Sequence, residues 1–522
     1  MGRKSSKKKR RSKEQDYVVV DEVVSHDRSI LLSVVLLAIY CLLFRSVFSE
    51  NVSNYVTVFF GIFVLPNMVC GSQTSFLKGT KSSIRGKYLP EFRGVYEAFR
   101  MNVRSGIEKG AQAVVMYKGV VVVDLYTRLE SNDSYDAEST QNVWSSTKTV
   151  ASLAMAMLVD RGLVSYDQKV SEIWPEFGAN GKENITVADV LRHEAGLYVF
   201  VSQSNSTDES YTTQNKYRVS FDETLSIEDL RDPNKMARVI QRQTPQDLGK
   251  RKYHGITRGW ILSEIVRRVD GRTMGRFVRD EIAKPLSLST FSIGEKRDDV
   301  SPLVATSMWW TCCQFLIPLE KMGRRIHISA PIFLMLTVLG LVGELFSRKV
   351  KKVLELPIKK GLFERPMAQH AASYSTPVVR EVEIPSTNGN GNARALAEMA
   401  NAIVGPLHGR KSPLFKHASS AKEAHENPIE KNMIFGTLDL GMKTSFTNAG
   451  WCRFGDGSIN PFERFGFTGW MGYGGSVMQW HTDLDIAFGY AMDLMESDIN
   501  NRRAFRLQGA ASECVLDIMR SD

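Results

Sequence analysis

Residues 149–159 (TVASLAMAMLV) carry no charged side chain, and they follow directly on Trp144-Ser145-Ser146-Thr147-Lys148. A run of that length, apolar on every side, reads as a helix buried all round, so the chain has to supply a core on each face of it. Ser145 and Lys148, three residues apart, then fall on one face of its first turn, where the helix dipole lends positive potential. An ammonium group at the mouth of a buried helix is costly unless its amine has a partner or a task. A serine beside such an amine can be activated as a nucleophile without histidine. The Ser-x-x-Lys pattern by itself also fits a capping serine followed by a solvated lysine. The apolar helix behind it is what gives the pattern weight.

The segments on either side outline a fold. Phe92, Val95, Tyr96, Phe99 and Val103 repeat at helical spacing and predict an amphipathic helix. Residues 113–117 and 120–126 are β-rich runs around Lys118-Gly119, the pattern of a hairpin. Residues 476–480 and 486–492 predict a second hairpin, and residues 502–519 a final helix. Helix, strands, a long middle, strands and a last helix make an α/β (α+β) arrangement, an antiparallel sheet covered by terminal helices.

Around the Ser-x-x-Lys segment, residues 114–124, 158–162 (LVDRG), 174–177 (WPEF), 184–197 (NITVADVLRHEAGL) and the stretch from Gly259-Trp260 to Pro285-Leu286 follow one another in a telling order. That order resembles the serine β-lactamase-like family, which holds class C β-lactamases, DD-peptidases and β-lactamase-like esterases. The resemblance covers about residues 85–300 and 380–495 and is nearest to the esterase and β-lactamase-domain branch. It implies a β-lactamase/transpeptidase-like fold, with a helical subdomain beside the sheet and the pocket at their junction.

The resemblance also implies roles. Ser145 is the nucleophile. Tyr253, in Tyr253-His254-Gly255 where the family has Tyr-x-Asn, takes the serine proton and returns it to the leaving group, with Lys148 lowering its pKa. The third motif, Lys-Thr-Gly or His-Thr-Gly in relatives, corresponds to Phe467-Thr468-Gly469, and in that register the N–H groups of Trp470 and Ser145 form the oxyanion hole. A shorter esterase version aligns Trp470-Met471-Gly472 instead. Gly255 replaces an amide that holds the substrate's side chain in relatives, and Phe467 replaces a cation that meets a substrate carboxylate. Both departures point away from penicillins and peptide C-termini and toward a neutral ester or amide.

His193-Glu194 does not extend to HExxH and reads as a structural turn, and Asn388-Gly389-Asn390-Gly391 reads as turn residues. The remaining histidines form no cluster. The six cysteines (Cys41, Cys70, Cys312, Cys313, Cys452, Cys514) show neither a disulfide framework nor metal-ligand spacing, so no metal or cofactor is expected. The net charge of +10 is concentrated, since eight of the first thirteen residues are basic and none is acidic. The rest of the chain is close to neutral, which argues against a nucleic-acid partner.

Residues 1–28 accordingly read as a basic cytosolic tail and residues 29–71 as a membrane anchor, ahead of a hydrolase domain over residues 85–522. Within the anchor, residues 30–44 and 55–70 are uncharged, at or just below the length that spans a bilayer. If only the first crosses, the domain lies on the far side from the tail; if both cross as a hairpin, tail and domain share the cytosol. Lys78, Lys81, Arg85 and Lys87 favour the hairpin. A further insert, residues 301–373, holds the sixteen uncharged residues 328–343, flanked on both sides by bases. It cannot cross once without separating Ser145 and Tyr253 from Thr468-Gly469. A membrane-dipping insert, or a hairpin of this run with the apolar residues 309–318 before it, is expected, with a buried core helix as the alternative.

The expected function is that of an integral-membrane serine hydrolase acting on a neutral ester or amide, lipid-derived if the insert touches the bilayer. The other reading is a catalytically inactive domain of the same fold, kept for binding or assembly.

Overall fold

The computed structural model describes residues 16–25, 81–131, 134–200, 227–305, 374–435, 438–454, 466–495 and 502–521. Two strands come first, β1 (Val18–Ser25) and β2 (Lys81–Tyr88). Helix α1 (Arg93–Arg104) follows, burying Val95, Ala98, Phe99 and Val103 at the spacing seen in the sequence. Strands β3 (Ala111–Tyr117) and β4 (Val120–Leu129) make the expected hairpin, and Lys118 and Gly119 both take the positive φ that a two-residue turn demands. A short β5 (Gln141–Asn142) leads into α2 (Thr147–Asp160), the apolar helix.

The middle of the chain adds α3 (Thr257–Asp270), β6 (Ser292–Ile293), β7 (Val304–Ala305), β8 (Gly389–Gly391) and α4 (Ala393–Val404). The last third supplies β9 (Ile429–Phe435), β10 (Leu438–Phe446), β11 (Cys452–Arg453), β12 (Phe467–Met471), β13 (Val477–His481), β14 (Ile486–Met492) and β15 (Leu494–Met495). It closes with α5 (Arg502–Ser521).

Ten strands form one antiparallel sheet in the order β1-β2-β4-β3-β14-β13-β12-β11-β10-β9. Helices α1 and α5 cover one face, where Phe99, Phe488, Tyr490, Phe505 and Val515 share a core. The other face packs on α4 and, beyond it, on α2 and the helical region that contains α3. In α2 every residue from Thr147 to Leu158 is buried. Each of its fully buried Val, Leu and Met side chains contributes about 1.5–3 kcal/mol, which offsets the desolvation of the lysine at its head.

Two expectations are corrected here. The tail does not run to residue 28, because Val18–Ser25 pairs with Lys81–Tyr88 along its whole length and is the edge strand of the ten-stranded sheet. The folded domain therefore begins before the apolar segments and resumes after them. Asn388-Gly389-Asn390-Gly391 is not a surface turn either: Gly389–Gly391 is the fully buried central strand of a small sheet, β5-β8-β6, that braces the start of α2.

Among the described residues, no helix is long and apolar enough to cross a membrane. The anchor (29–71) and the apolar run at 328–343 lie outside the described residues.

Candidate active site

The turn into α2 is strained and tightly held. Trp144 adopts a left-handed φ of 46°, unfavourable for a bulky residue, and its N–H is held by Asn142 Oδ1 at 2.9 Å. A single turn of 3-10 helix, Trp144–Ser146, then joins α2. Thr147 Oγ1 donates to the Trp144 carbonyl at 2.5 Å and accepts the Gly389 N–H at 2.9 Å, so β8 locks the turn from below.

Ser145 Oγ sits between the two predicted partners. Tyr253 Oη donates to it at 2.8 Å and Lys148 Nζ lies 3.1 Å away. Lys148 Nζ also donates to the backbone carbonyls of Gly255 (2.6 Å) and Ser386 (3.0 Å). Burial, and secondarily the charge of Arg258, push the Lys148 amine well below the ordinary lysine range. Tyr253 is held above the usual phenol value by burial, partly offset by its hydrogen bonds to Ser145 and Trp470 and by Arg258. Lys148 and Tyr253 meet face to face: the amine lies 4.9 Å from the centre of the phenol ring.

The third motif falls differently from the first register proposed for it. Gly472 N–H donates to the Ser476 carbonyl, which makes that pair hydrogen-bonded, and alternation two residues back makes Trp470 and Met478 a hydrogen-bonded pair as well. The Trp470 N–H thus points along the sheet to β13 and is not an oxyanion donor. Gly469 likewise packs inside the sheet, where a Cβ would overlap the Met478 carbonyl. Phe467 points to the opposite face: it is fully buried among Val477, Ile486 and Phe488, edge-on to the His481 ring. It cannot stand where relatives place a cation. Thr468 is buried on the face it shares with Trp470.

What Trp470 brings is its side chain. The indole Nε1 donates to Tyr253 Oη at 3.3 Å, and the ring packs against Phe446 and Phe454 to give an apolar wall. Gly472 abuts the residues before the nucleophile, since a Cβ there would overlap the Val143 carbonyl oxygen and Ser476 Oγ and lie 3.1 Å from Trp144 Cβ. The Trp470-Met471-Gly472 alignment, not Phe467-Thr468-Gly469, therefore borders Ser145.

Two contributors, Arg258 and Ser386, escaped the sequence reading. Arg258 is buried, donating to the Lys148 carbonyl at 3.3 Å and to Ser152 Oγ at 2.5 Å. Ser386 supplies its carbonyl to Lys148 and its hydroxyl oxygen to the Gly259 N–H. Ser476 Oγ donates to the Val143 carbonyl at 2.6 Å, tying the turn after β12 to the segment that leads into the nucleophile. His193 and Glu194 are structural, as read. His193 Nδ1 accepts the His254 N–H, and Glu194 forms a buried pair with Arg251 at 2.6 Å.

A family model described as Beta-lactamase matches residues 99–511. Over 320 residues, 60% of this chain, the sequence is 31% identical to Esterase/beta-lactamase LipL of Mycobacterium tuberculosis. The match spans 63% of that relative's length. Among solved structures, a penicillin-binding protein homolog from Caulobacter crescentus aligns with a TM-score of 0.59 at 26% identity, covering 83% of this chain and 99% of the other. A family VIII carboxylesterase aligns with a TM-score of 0.60 at 22% identity and the same coverage, a likeness of fold. The match of the family model to most of the sequence, on the sheet and helices that carry the Ser145–Lys148–Tyr253 cluster, means that the chain belongs to the Beta-lactamase family.

Proposed function

We propose that the chain is a membrane-anchored serine hydrolase that cleaves a neutral ester or amide through an acyl-enzyme on Ser145. The observation that carries this reading is the position of Ser145 Oγ between a buried amine and a buried phenol, 3.1 Å and 2.8 Å away. Two N–H groups of Lys148 are taken by the Gly255 and Ser386 carbonyls. In the neutral amine that leaves one lone pair, directed at Ser145 Oγ.

Lys148 is then the general base, and Tyr253, kept protonated by burial, is the acid. This exchanges the roles expected from the resemblance. As Ser145 Oγ bonds to the carbonyl carbon, its proton passes to Lys148. The Tyr253 phenol gives a proton to the departing oxygen or nitrogen as its bond to carbon breaks, and recovers one from the Lys148 ammonium. Water repeats the sequence and releases the acid. The oxyanion is met by the Ser145 N–H at the helix start and by backbone beyond Trp470.

The apolar wall of Phe446, Phe454 and Trp470 fits an uncharged acyl or leaving group. The alternative of an inactive binding domain drew on Phe467 and Gly255. Phe467 faces the terminal helices, and Gly255 contributes a carbonyl to Lys148, so neither departure disables the cluster. Labelling of the full chain by a fluorophosphonate probe tests the reading. Wild type should label and Ser145→Ala should not; a folded wild type that stays unlabelled would refute it.

A further inference from the structure

Both groups that flank the nucleophile hang from one short segment of chain. Tyr253 sends its phenol to Ser145 Oγ, and two residues further on the Gly255 carbonyl takes an N–H of Lys148 at 2.6 Å. Between them stands His254, whose side chain is fully buried. Its Nε2 accepts the Leu197 N–H at 3.0 Å, and its Nδ1 lies 2.6 Å from the Lys252 carbonyl. An amide N–H only donates and a carbonyl only accepts, so Nε2 is bare and the proton sits on Nδ1. A second proton, on Nε2, would break the bond to Leu197. Burial, partly offset by the bond to the Lys252 carbonyl, brings the His254 pKa down to about 3, so the ring stays neutral.

His193 holds the same segment by its backbone. Its Nδ1 accepts the His254 N–H at 3.0 Å, and its carbonyl accepts the Lys252 N–H at 3.0 Å. The Tyr253 N–H goes to the Ile434 carbonyl of β9 at 2.9 Å, and the Gly255 N–H to the Tyr253 carbonyl at 3.0 Å. Each of the four N–H groups from Lys252 to Gly255 thus has an acceptor, and two of the four acceptors belong to His193. It provides them from a left-handed φ of 65°, which a residue with a Cβ seldom adopts. Its ring also packs on that of Tyr253, with 5.1 Å between centroids. Burial, with the charge of Arg258 second, holds the His193 pKa well below the ordinary histidine range, so Nδ1 stays open to the His254 N–H.

The chemistry at Ser145 depends on where this segment stands. The Lys148 lone pair is aimed at Ser145 because the Gly255 and Ser386 carbonyls take two N–H groups of the amine. If the Gly255 carbonyl shifts, the lone pair turns away; if Tyr253 shifts, the acid leaves its place. A displacement of His254 moves both neighbours at once.

We infer that His254 and His193 are positioning residues for this reaction: their neutral imidazoles, through bonds to the Leu197 N–H, the Lys252 carbonyl and the His254 N–H, fix where the Tyr253 phenol and the Gly255 carbonyl stand about Ser145. The inference rests on the hydrolase reading above.

Paired substitutions in the full chain separate bond from bulk. His254→Phe and His193→Phe keep a ring and lose its hydrogen bonds. His254→Gln keeps an acceptor for the Leu197 N–H, and His193→Asn keeps one for the His254 N–H. Rates on a 4-nitrophenyl ester are expressed per Ser145 titrated with the fluorophosphonate probe, so that unfolded protein does not count. Each Phe variant should lose about 10² in kcat with KM little changed, and the Gln and Asn variants should recover most of that loss. Full kcat in both Phe variants, or Gln and Asn variants as slow as the Phe ones, overturns the inference. Nitrogen-15 spectra of histidine-labelled wild type need no variant to fold. They should show His254 protonated on Nδ1 and His193 on Nε2, both neutral at about pH 5.5, where an ordinary histidine is charged. A charged ring or the opposite tautomer at either position overturns the inference as well. A folded wild type that the probe leaves unlabelled refutes the hydrolase reading instead, and the spectra report the hydrogen bonds independently of it.

Discussion

Arg258 lies directly behind Lys148, its guanidinium donating to the Lys148 carbonyl and to Ser152 Oγ, and among the described residues no carboxylate pairs with it. Burial brings its own pKa down to about 10, so it is charged at neutral pH. A buried positive charge disfavours a second one on Lys148 and favours the phenolate of Tyr253. Removing it should raise the pKa of both. Since Lys148 must be neutral to act, the acid limb of the kcat/KM profile should move up by about one to two pH units in Arg258→Gln. Arg258→Lys keeps the charge and should restore most of the profile. An unshifted profile in Arg258→Gln would show Arg258 to be a packing residue only.

Lys148→Met should separate stability from activity. The folded-state pKa of Lys148 is depressed, so between the folded and unfolded values the unfolded chain binds more protons and wild-type stability rises as pH climbs toward the unfolded lysine value. The methionine side chain, of similar length, removes that term. Denaturant midpoints should therefore favour Lys148→Met at pH 7, and the gain should shrink toward pH 10, while kcat falls by about 10³–10⁴. A variant that is destabilised equally at both pH values would contradict a neutral, buried Lys148.

How far the sequence reached can be seen residue by residue. Ser145 and Lys148 were legible because helical spacing is local, and Tyr253 because its motif is contiguous. Arg258 was not, since its place behind Lys148 depends on α3 packing against α2. The face that Phe467 presents depends on the register of β12 with β13, where a shift of one residue exchanges the two faces. Residues 18–25 form a β-branched run, yet fifty-five residues, including the apolar segments, lie between it and the strand that pairs with it. Only the three-dimensional pairing separates it from the tail.

Gly472 tests whether the turn after β12 positions the nucleophile. A methyl group there meets a backbone carbonyl, that of Val143, which cannot swing aside as a flexible side chain would. Gly472→Ala should displace Val143 and Trp144 by a few tenths of an ångström and lower kcat by about 10², with KM and the thermal midpoint much less affected. Ser476→Ala, which removes the tie to the Val143 carbonyl without adding bulk, should give a smaller loss in the same parameter. If Gly472→Ala retained full kcat, the turn would have no part in setting the Ser145 geometry.

Asp493 sits at the end of β14, where it accepts the Gly110 N–H at 2.9 Å, and burial raises its pKa to about 6. A carboxyl whose folded pKa exceeds its unfolded value of about 3.9 is a liability that grows as pH rises between the two, because the unfolded chain ionises first. Two pKa units correspond to about 2–3 kcal/mol. Asp493→Asn keeps an oxygen for Gly110 and cannot ionise, so it should stabilise the protein by about that amount at pH 7.5 and by little at pH 4. Urea midpoints at the two pH values measure the difference, and a gain of equal size at both would mean that the asparagine acts through packing instead of charge.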